Sequence, residues 1–324
     1  MTFPLKNLIL ATLFSVSYSQ FSLAAPPKDL AYPQGKTSAN EIADQVYFVN
    51  HFYSVKNIAF VRDGKGHVTT LILRKKDKRP RVVAFRRYLN NAYEDGPVKS
   101  RDLGLFHSGK LEGVRLLLTD YSDDSKEQTY QIWLPSLRKV RKVNEPEHDE
   151  AWRDSEFTYG DIYLRKPRHE THELLGEETF TDCLGSMALN AEEQKNNRLI
   201  KNIPRRQCDH RGKNIYKLKS TTKYSNWWYD HRISYVDKET FADYRIDFFK
   251  DGKQVKRIDK DWTPMIDEVM DIFQDSRAIF WRYWYGKNYL TGNETMINTW
   301  PEVVRWNQQY EEDLWSEDRV FQQQ

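Results

Sequence analysis

Cysteine is scarce in this chain, with two in 324 residues. That excludes a disulfide-dense secreted scaffold and a zinc module built on four thiolates. Long apolar runs are missing too. A bilayer-spanning helix needs ~20 apolar residues, and outside the N-terminal stretch Leu8 to Val16 nothing approaches that length. Neither sign of charge is in large excess: 50 Lys and Arg stand against 47 Asp and Glu, a net +3, whereas a nucleic-acid binder ordinarily shows a clear basic surplus. Catalytic signatures are also absent, with no Gly-x-Ser-x-Gly elbow, no phosphate-cradling Gly-rich loop and no His-Glu-x-x-His helix. Arg168-His169-Glu170-Thr171-His172 sets two His three apart on a loop entering a strand, which reads as a polar surface segment rather than a metal site. Gly64-Lys65-Gly66 reads as a turn. No catalytic residue, cofactor or metal is expected.

What is present begins with an export signal. Lys6 precedes the apolar run, and Ser22-Leu23-Ala24 supplies the small residues a signal peptidase reads. Residues 1–24 are expected to be a removed signal peptide. No Cys follows it, so the mature chain is expected to be periplasmic without a lipid anchor. In an oxidising compartment Cys183 and Cys208 are expected to form one disulfide across a polar loop; a zinc site with His210 and one further ligand is the alternative. With 39% hydrophobic and 30% charged residues, residues 25–324 suit a single globular domain, with an aromatic C-terminal extension from about 265.

The patterning is mostly antiparallel β. Ser38 and Asn40 offer caps to a helix carrying Ile42, Val46 and Val49 on one stripe. Short alternating strands follow, over 68–73, 82–87, 103–106, 114–119, 129–134, 138–143, 173–180, 215–222, 232–236, 242–249 and 254–261, with turn residues between them. The succession predicts one extended, curved antiparallel sheet rather than a layered α/β domain, with a closed eight-stranded barrel as the structural alternative. Phe280, Trp281, Tyr283, Trp284, Tyr285, Tyr289, Trp300 and Trp306 make the C-terminal region strongly aromatic, as a core layer or as rings at an interface. The tail from Glu311 to Val320 reads as a short helix.

The stretch from Gln131 to Asp161 is the most specific. Ile132, Trp133 and Leu134 end a strand at Pro135, and Arg138, Lys139, Arg141 and Lys142 line the return. Asp154 and Ser155 then introduce Phe157, Tyr159 and Asp161 as a capped helical or tightly turned entry onto an apolar surface. These residues resemble the outer-membrane lipoprotein-sorting proteins of the periplasmic lipoprotein-carrier superfamily. The resemblance implies a half-open, incomplete β-barrel whose concave face is covered by helices, and a carrier that binds the acyl part of a lipoprotein or another envelope lipid and delivers it towards the outer membrane without chemistry. The expected lining residues are Leu71, Leu73, Phe85, Leu117, Trp133, Phe157 and Tyr159. Pro135, Arg138, Arg141, Asp154 and Asp161 form an expected lid motif, in which Arg138 and Arg141 pair with Asp154 or Asp161. Expected partners are a lipid or acylated lipoprotein, with an inner-membrane export pump or an outer-membrane acceptor, and no nucleic acid. The alternatives are a periplasmic sensor or adaptor for lipoproteins or such a pump, and an envelope enzyme acting on glycan or lipid.

Overall fold

A computed structural model describes residues 26–195, 197–201, 203–265 and 275–318; the expected signal peptide and the end of the tail lie outside these. In chain order the elements are α1 (Ala39–Asn50), β1 (Asn57–Phe60), β2 (Thr69–Arg74), β3 (Arg81–Asn90), β4 (Val98–Phe106), β5 (Arg115–Tyr121), β6 (Thr129–Leu134), β7 (Lys139–Val143), β8 (Glu170–Thr179), α2 (Ala191–Lys195), β9 (Asn214–Thr222), β10 (His231–Asp237), β11 (Asp243–Lys250), β12 (Lys253–Pro264), β13 (Ile279–Asn288), β14 (Glu294–Asn298) and β15 (Val304–Trp306). Strand pairing follows β7-β6-β5-β4-β3-β2-β14-β13-β12-β11-β10-β9-β8, with β1 bridging β3 and β15. All registered pairs are antiparallel. The two edges, β7 and β8, do not meet, so the curved sheet stays open.

Helix α1 starts where expected. Ser38 Oγ accepts from the Glu41 N–H and Glu41 Oε2 accepts from the Ser38 N–H, a capping box that satisfies donors the helix cannot. The aromatic C-terminal stretch is not an appendage: β13 and β14 sit between β12 and β2, in the middle of the sheet. Trp281, Tyr283, Trp284 and Tyr285 are all buried because that part of the sheet is covered on both faces. Within the tail, Glu312–Trp315 form a 3-10 turn, and the expected helix's end at Val320 lies outside the described residues.

The convex cover is the loop from Phe180 to Lys213. Cys183 and Cys208 are disulfide-bonded, as expected, which removes both thiolates that the zinc alternative required. Leu184, Met187 and Ile200 are buried under this loop. Its backbone is pinned to the sheet: the Gly185 N–H donates to Asp259 Oδ2 at 2.6 Å, and Arg245 Nη2 donates to the Cys183 carbonyl at 2.9 Å. Farther along the same face, Trp315 closes a small second apolar cluster with Leu103 and Leu117.

Candidate functional site

The concave face is covered by α1 and by residues 145–169, which contain little regular structure. Arg153 and Asp154 take positive φ of 55° and 61°. They reverse the chain so that the Trp152 N–H donates to the Phe157 carbonyl at 2.7 Å. This is a tight hairpin turn, the turned form of the expected entry. A reciprocal pair follows, Thr158 N–H to Asp161 Oδ2 and Asp161 N–H to Thr158 Oγ1, opening a wide π-type turn at Gly160–Leu164. Such turns recur at functional positions. Gly160 is required here, since a Cβ would lie 2.8 Å from the His148 carbonyl oxygen.

Phe157 anchors this cover. Strand β13 has no side chain at Gly286, where a Cβ would come within 2.7 Å of the Phe157 ring. The missing side chain is a socket. Phe157 fills it, fully buried, edge-on to Trp284 at 5.8 Å. Beside it the Glu156 N–H donates to Thr295 Oγ1 at 2.9 Å, and Asn288 Nδ2 donates to Glu156 Oε2 at 2.8 Å.

The second anchor is ionic. Lys256 Nζ, on the concave side of β12, donates to Asp161 Oδ2 at 2.6 Å, and Arg165 Nη2 donates to Asp161 Oδ1 at 2.6 Å. Burial opposes ionisation of Asp161, but the charges of Lys256 and Arg165 outweigh it and hold the carboxyl well below the usual carboxylate range. Lys256 is pulled down by burial, an effect that Asp161 partly offsets. Where the cover runs into β8, Arg232 grips Glu170 with its Nε and Nη2, the shorter contact 2.6 Å, and Tyr229 donates to the same carboxylate at 3.0 Å. Burial disfavours the Glu170 anion, yet Arg232 brings its pKa down to about 2. The Arg168 to His172 segment is therefore no surface stretch: its glutamate is a buried ion-pair partner.

The expected lining residues divide between the faces. Leu71, Leu73 and Phe85 lie on the concave side, in register with Ile297, Thr295 and Thr69. Phe157 and half-buried Tyr159 reach the same side from the cover, Tyr159 edge-on to Tyr130 at 6.3 Å. Leu117 lies on the convex side, in the Trp315 cluster. Trp133 has the opposite parity to Ile132 and Leu134, which pack against the main core, so it too faces the convex side, between Arg115 and Val140.

The expected lid pairing is also different. Pro135, Arg138 and Arg141 are exposed on the β6–β7 hairpin, whereas the cover docks on β13, seven strands along the sheet. Asp154 pairs with Arg81 at 3.5 Å on the surface, and Asp161 pairs with Lys256 and Arg165. Sequence reading missed Lys256, Arg165, Glu170, Arg232 and Gly286. A signal existed for Lys256: β12 carries charge on both parities, Lys256 and Lys260 on one and Arg257, Asp259 and Asp261 on the other, which a strand with one wet and one dry face does not do.

Little space is left under the cover. A cavity of about 60 Å³, lined by both apolar and charged side chains, lies among Val46, Tyr47, His51, Asp161, Ile246 and Lys260. An apolar one of about 40 Å³ lies among Phe85, Arg87, Trp152, Tyr163, Trp281 and Trp284. A water's share of liquid volume is ~30 Å³ and small-molecule pockets run to ~300–1,000 Å³, so each cavity has room for a water or two and not for an acyl chain. Burial drives the His51 imidazole down to about 3, which keeps it neutral beside the larger cavity. Among the described residues, no helix is long and apolar enough to cross a membrane.

The fold has known counterparts. The chain is similar to a protein described as an outer membrane lipoprotein-sorting protein domain from Vibrio parahaemolyticus, with TM-score 0.60 and 15% identity over 87% of this chain and 98% of that one. It is similar to a DUF1329-family protein from Desulfovibrio piger, with TM-score 0.59 and 15% identity over 88% of this chain and 100% of that one. A LolA-superfamily protein from Nitrosomonas europaea aligns with TM-score 0.50 and 10% identity over 88% of this chain and 100% of that one. A family model described as "Uncharacterized protein" matches residues 99–199. No curated protein matches in sequence. The structural neighbours are thus outer membrane lipoprotein-sorting, DUF1329 and LolA-superfamily proteins, and the chain shares their fold.

Proposed function

We propose that the chain is a periplasmic carrier that encloses the acyl part of a lipoprotein or another envelope lipid, moving it towards the outer membrane without chemistry, between an inner-membrane export pump and an outer-membrane acceptor. The observation that carries this reading is the construction of the cover. A segment of short hydrogen-bonded turns with no long helix or strand lies over an aromatic and aliphatic floor of Phe85, Trp281, Trp284 and Ile297, and its attachments to the sheet include one ring in a socket and one buried ion pair.

Lifting residues 145–169 exposes that floor to a chain that would otherwise lose ~0.8 kcal/mol per CH₂ to water. The same movement returns Asp161 and Lys256 to water, where each regains hydration, so the pair can separate and re-form. An acyl chain takes the place of Phe157 against Trp284. The likeness in fold to proteins named for lipoprotein sorting supports the reading.

The test uses the contact between Glu156 and Thr295, 2.9 Å from backbone nitrogen to hydroxyl. Protein isolated from the periplasm is expected to show bound lipid or acylated peptide by native mass spectrometry. The Glu156→Cys/Thr295→Cys variant, once oxidised, is expected to neither take up nor release it, while each single variant exchanges normally. A protein that is always empty, or a trapped form that exchanges as fast as its parent, sinks the proposal.

A further inference from the structure

One end of the sheet gathers the turns at 75–80, 107–114, 135–138, 223–230, 251–252 and 289–293, as the strand registers require. Of the seven large hydrophobic residues that stand exposed among those described, four lie in these turns: Leu137, Tyr224, Tyr289 and Leu290. Leu290 is the most exposed of them, at 75%. Because β14 pairs with β2, its turn abuts the β2–β3 turn, and the Lys76 N–H donates to Asn293 Oδ1 at 3.0 Å. The β2–β3 turn contributes Lys75, Lys76, Lys78 and Arg79, all exposed. None of the four side chains has an ion-pair partner among the described residues, whereas the neighbouring Arg74 pairs with Glu294 and Glu193.

We propose that this pair of turns is a docking site for an anionic lipid bilayer surface. The chemistry of the two tips is complementary to a headgroup layer. Free ammonium and guanidinium groups meet phosphates, each attracted by the negative surface potential. Tyr289, 43% exposed, is an amphipathic ring suited to headgroup depth, and Leu290 reaches the acyl boundary. The arrangement leaves the cover and both cavities clear, since neither turn lines them. The inference goes beyond the carrier reading and stands apart from it: a protein can dock without cargo or carry cargo without docking.

The probe is co-sedimentation of the chain with phosphatidylcholine vesicles, with and without a phosphatidylglycerol fraction. Binding is expected to need the anionic lipid and to weaken as salt rises. Reversing Lys75, Lys76, Lys78 and Arg79 to Glu is expected to weaken it by well over tenfold, and Leu290→Asp by about tenfold. Lys36→Glu, elsewhere on the surface, is expected to leave it unchanged. All of these positions are exposed, and circular dichroism is the check that each variant folds. Absence of binding to anionic vesicles, binding that ignores lipid charge, or binding that survives both the tip and the charge variants overturns the proposal. In the first case the cations are left facing an acidic protein surface. Bound lipid in the mass spectrum separates a failure here from a failure of the carrier reading.

Discussion

The sheet is covered on both faces, and only one of the two covers has a covalent tie. The convex loop is closed covalently by Cys183–Cys208 and buries aliphatic side chains such as Leu184, Met187 and Ile200. The concave cover has no covalent tie. It is held by the buried apolar side chains Trp152, Phe157 and Leu164, by the Glu156 N–H to Thr295, and by charged pairs: Asp161 to Lys256, Lys166 and Arg168 to Asp124, and, at its junction with β8, Glu170 to Arg232. Apolar contacts lose their stabilisation when they separate in water. Separated ions are rehydrated, which compensates much of what the contact supplied. The ionic part of the concave cover's attachment can therefore separate and re-form at lower cost than an apolar seal, and the covalent tie lies on the other face.

The largest expected effect comes from taking one ion out of this arrangement. Asp161→Asn leaves Lys256 buried without its counter-charge, a change that costs ~3–5 kcal/mol where the site stays buried. Local opening relieves that cost, so amide exchange over 157–165 is expected to accelerate by about two orders of magnitude, the equivalent of ~3 kcal/mol. The amides of β9 to β12 should change far less. Replacing both partners, Asp161→Leu with Lys256→Met, is expected to restore protection. Equal loss of protection in both regions would mean that the cover is an ordinary part of the core.

Removing the convex tie should give the complementary result. In the chain-entropy model a loop of 25 residues loses ~3–4 kcal/mol of stabilisation when its disulfide is cut. Cys183→Ser/Cys208→Ser is expected to lower global stability in denaturant titration by about that amount, while exchange over 157–165 and lipid uptake persist in the protein that remains folded. Faster cargo exchange in this variant would show that both covers move, and the contrast between the faces would fail.

Much of this contrast was legible in the sequence, and the missing part follows from burial. Strands with one wet face, such as β6 with Tyr130, Ile132 and Leu134 inward, announced themselves by period-two alternation. Strand β13 did not, because Phe280-Trp281 and Tyr283-Trp284-Tyr285 are buried on both parities beneath two covers; without a wet face there is no alternation to read. Alternation also separates two faces without saying which is concave. That is why Leu117 was expected in the lining although Leu116 and Leu118 are the residues that pack there. Phe157 could be recognised as apolar, but its socket is the absence of a side chain at Gly286, far along the chain. Of the expected pairing, Asp161 is ion-paired, but with Lys256 and Arg165, since Arg138 and Arg141 belong to the edge hairpin.

The smallest expected effect is also the sharpest check on which ions hold the cover. Asp154 makes a surface pair with Arg81, side chains 76% and 49% exposed at 3.5 Å. Such a pair contributes ~0–1 kcal/mol and is screened by salt. Arg81→Ala is therefore expected to shift the thermal midpoint by no more than about 2 °C and to leave exchange over 157–165 within about fivefold of the parent, the most that ~1 kcal/mol can produce. The two carboxylates sit in one short segment and differ in burial and in number of partners, so the ratio of the Asp161→Asn effect to the Arg81→Ala effect shows which pair holds the cover. If Arg81→Ala frees the cover as fully as Asp161→Asn, the surface pair is the latch, and the ionic attachment of the concave cover has to be relocated from Lys256 to the rim of the segment.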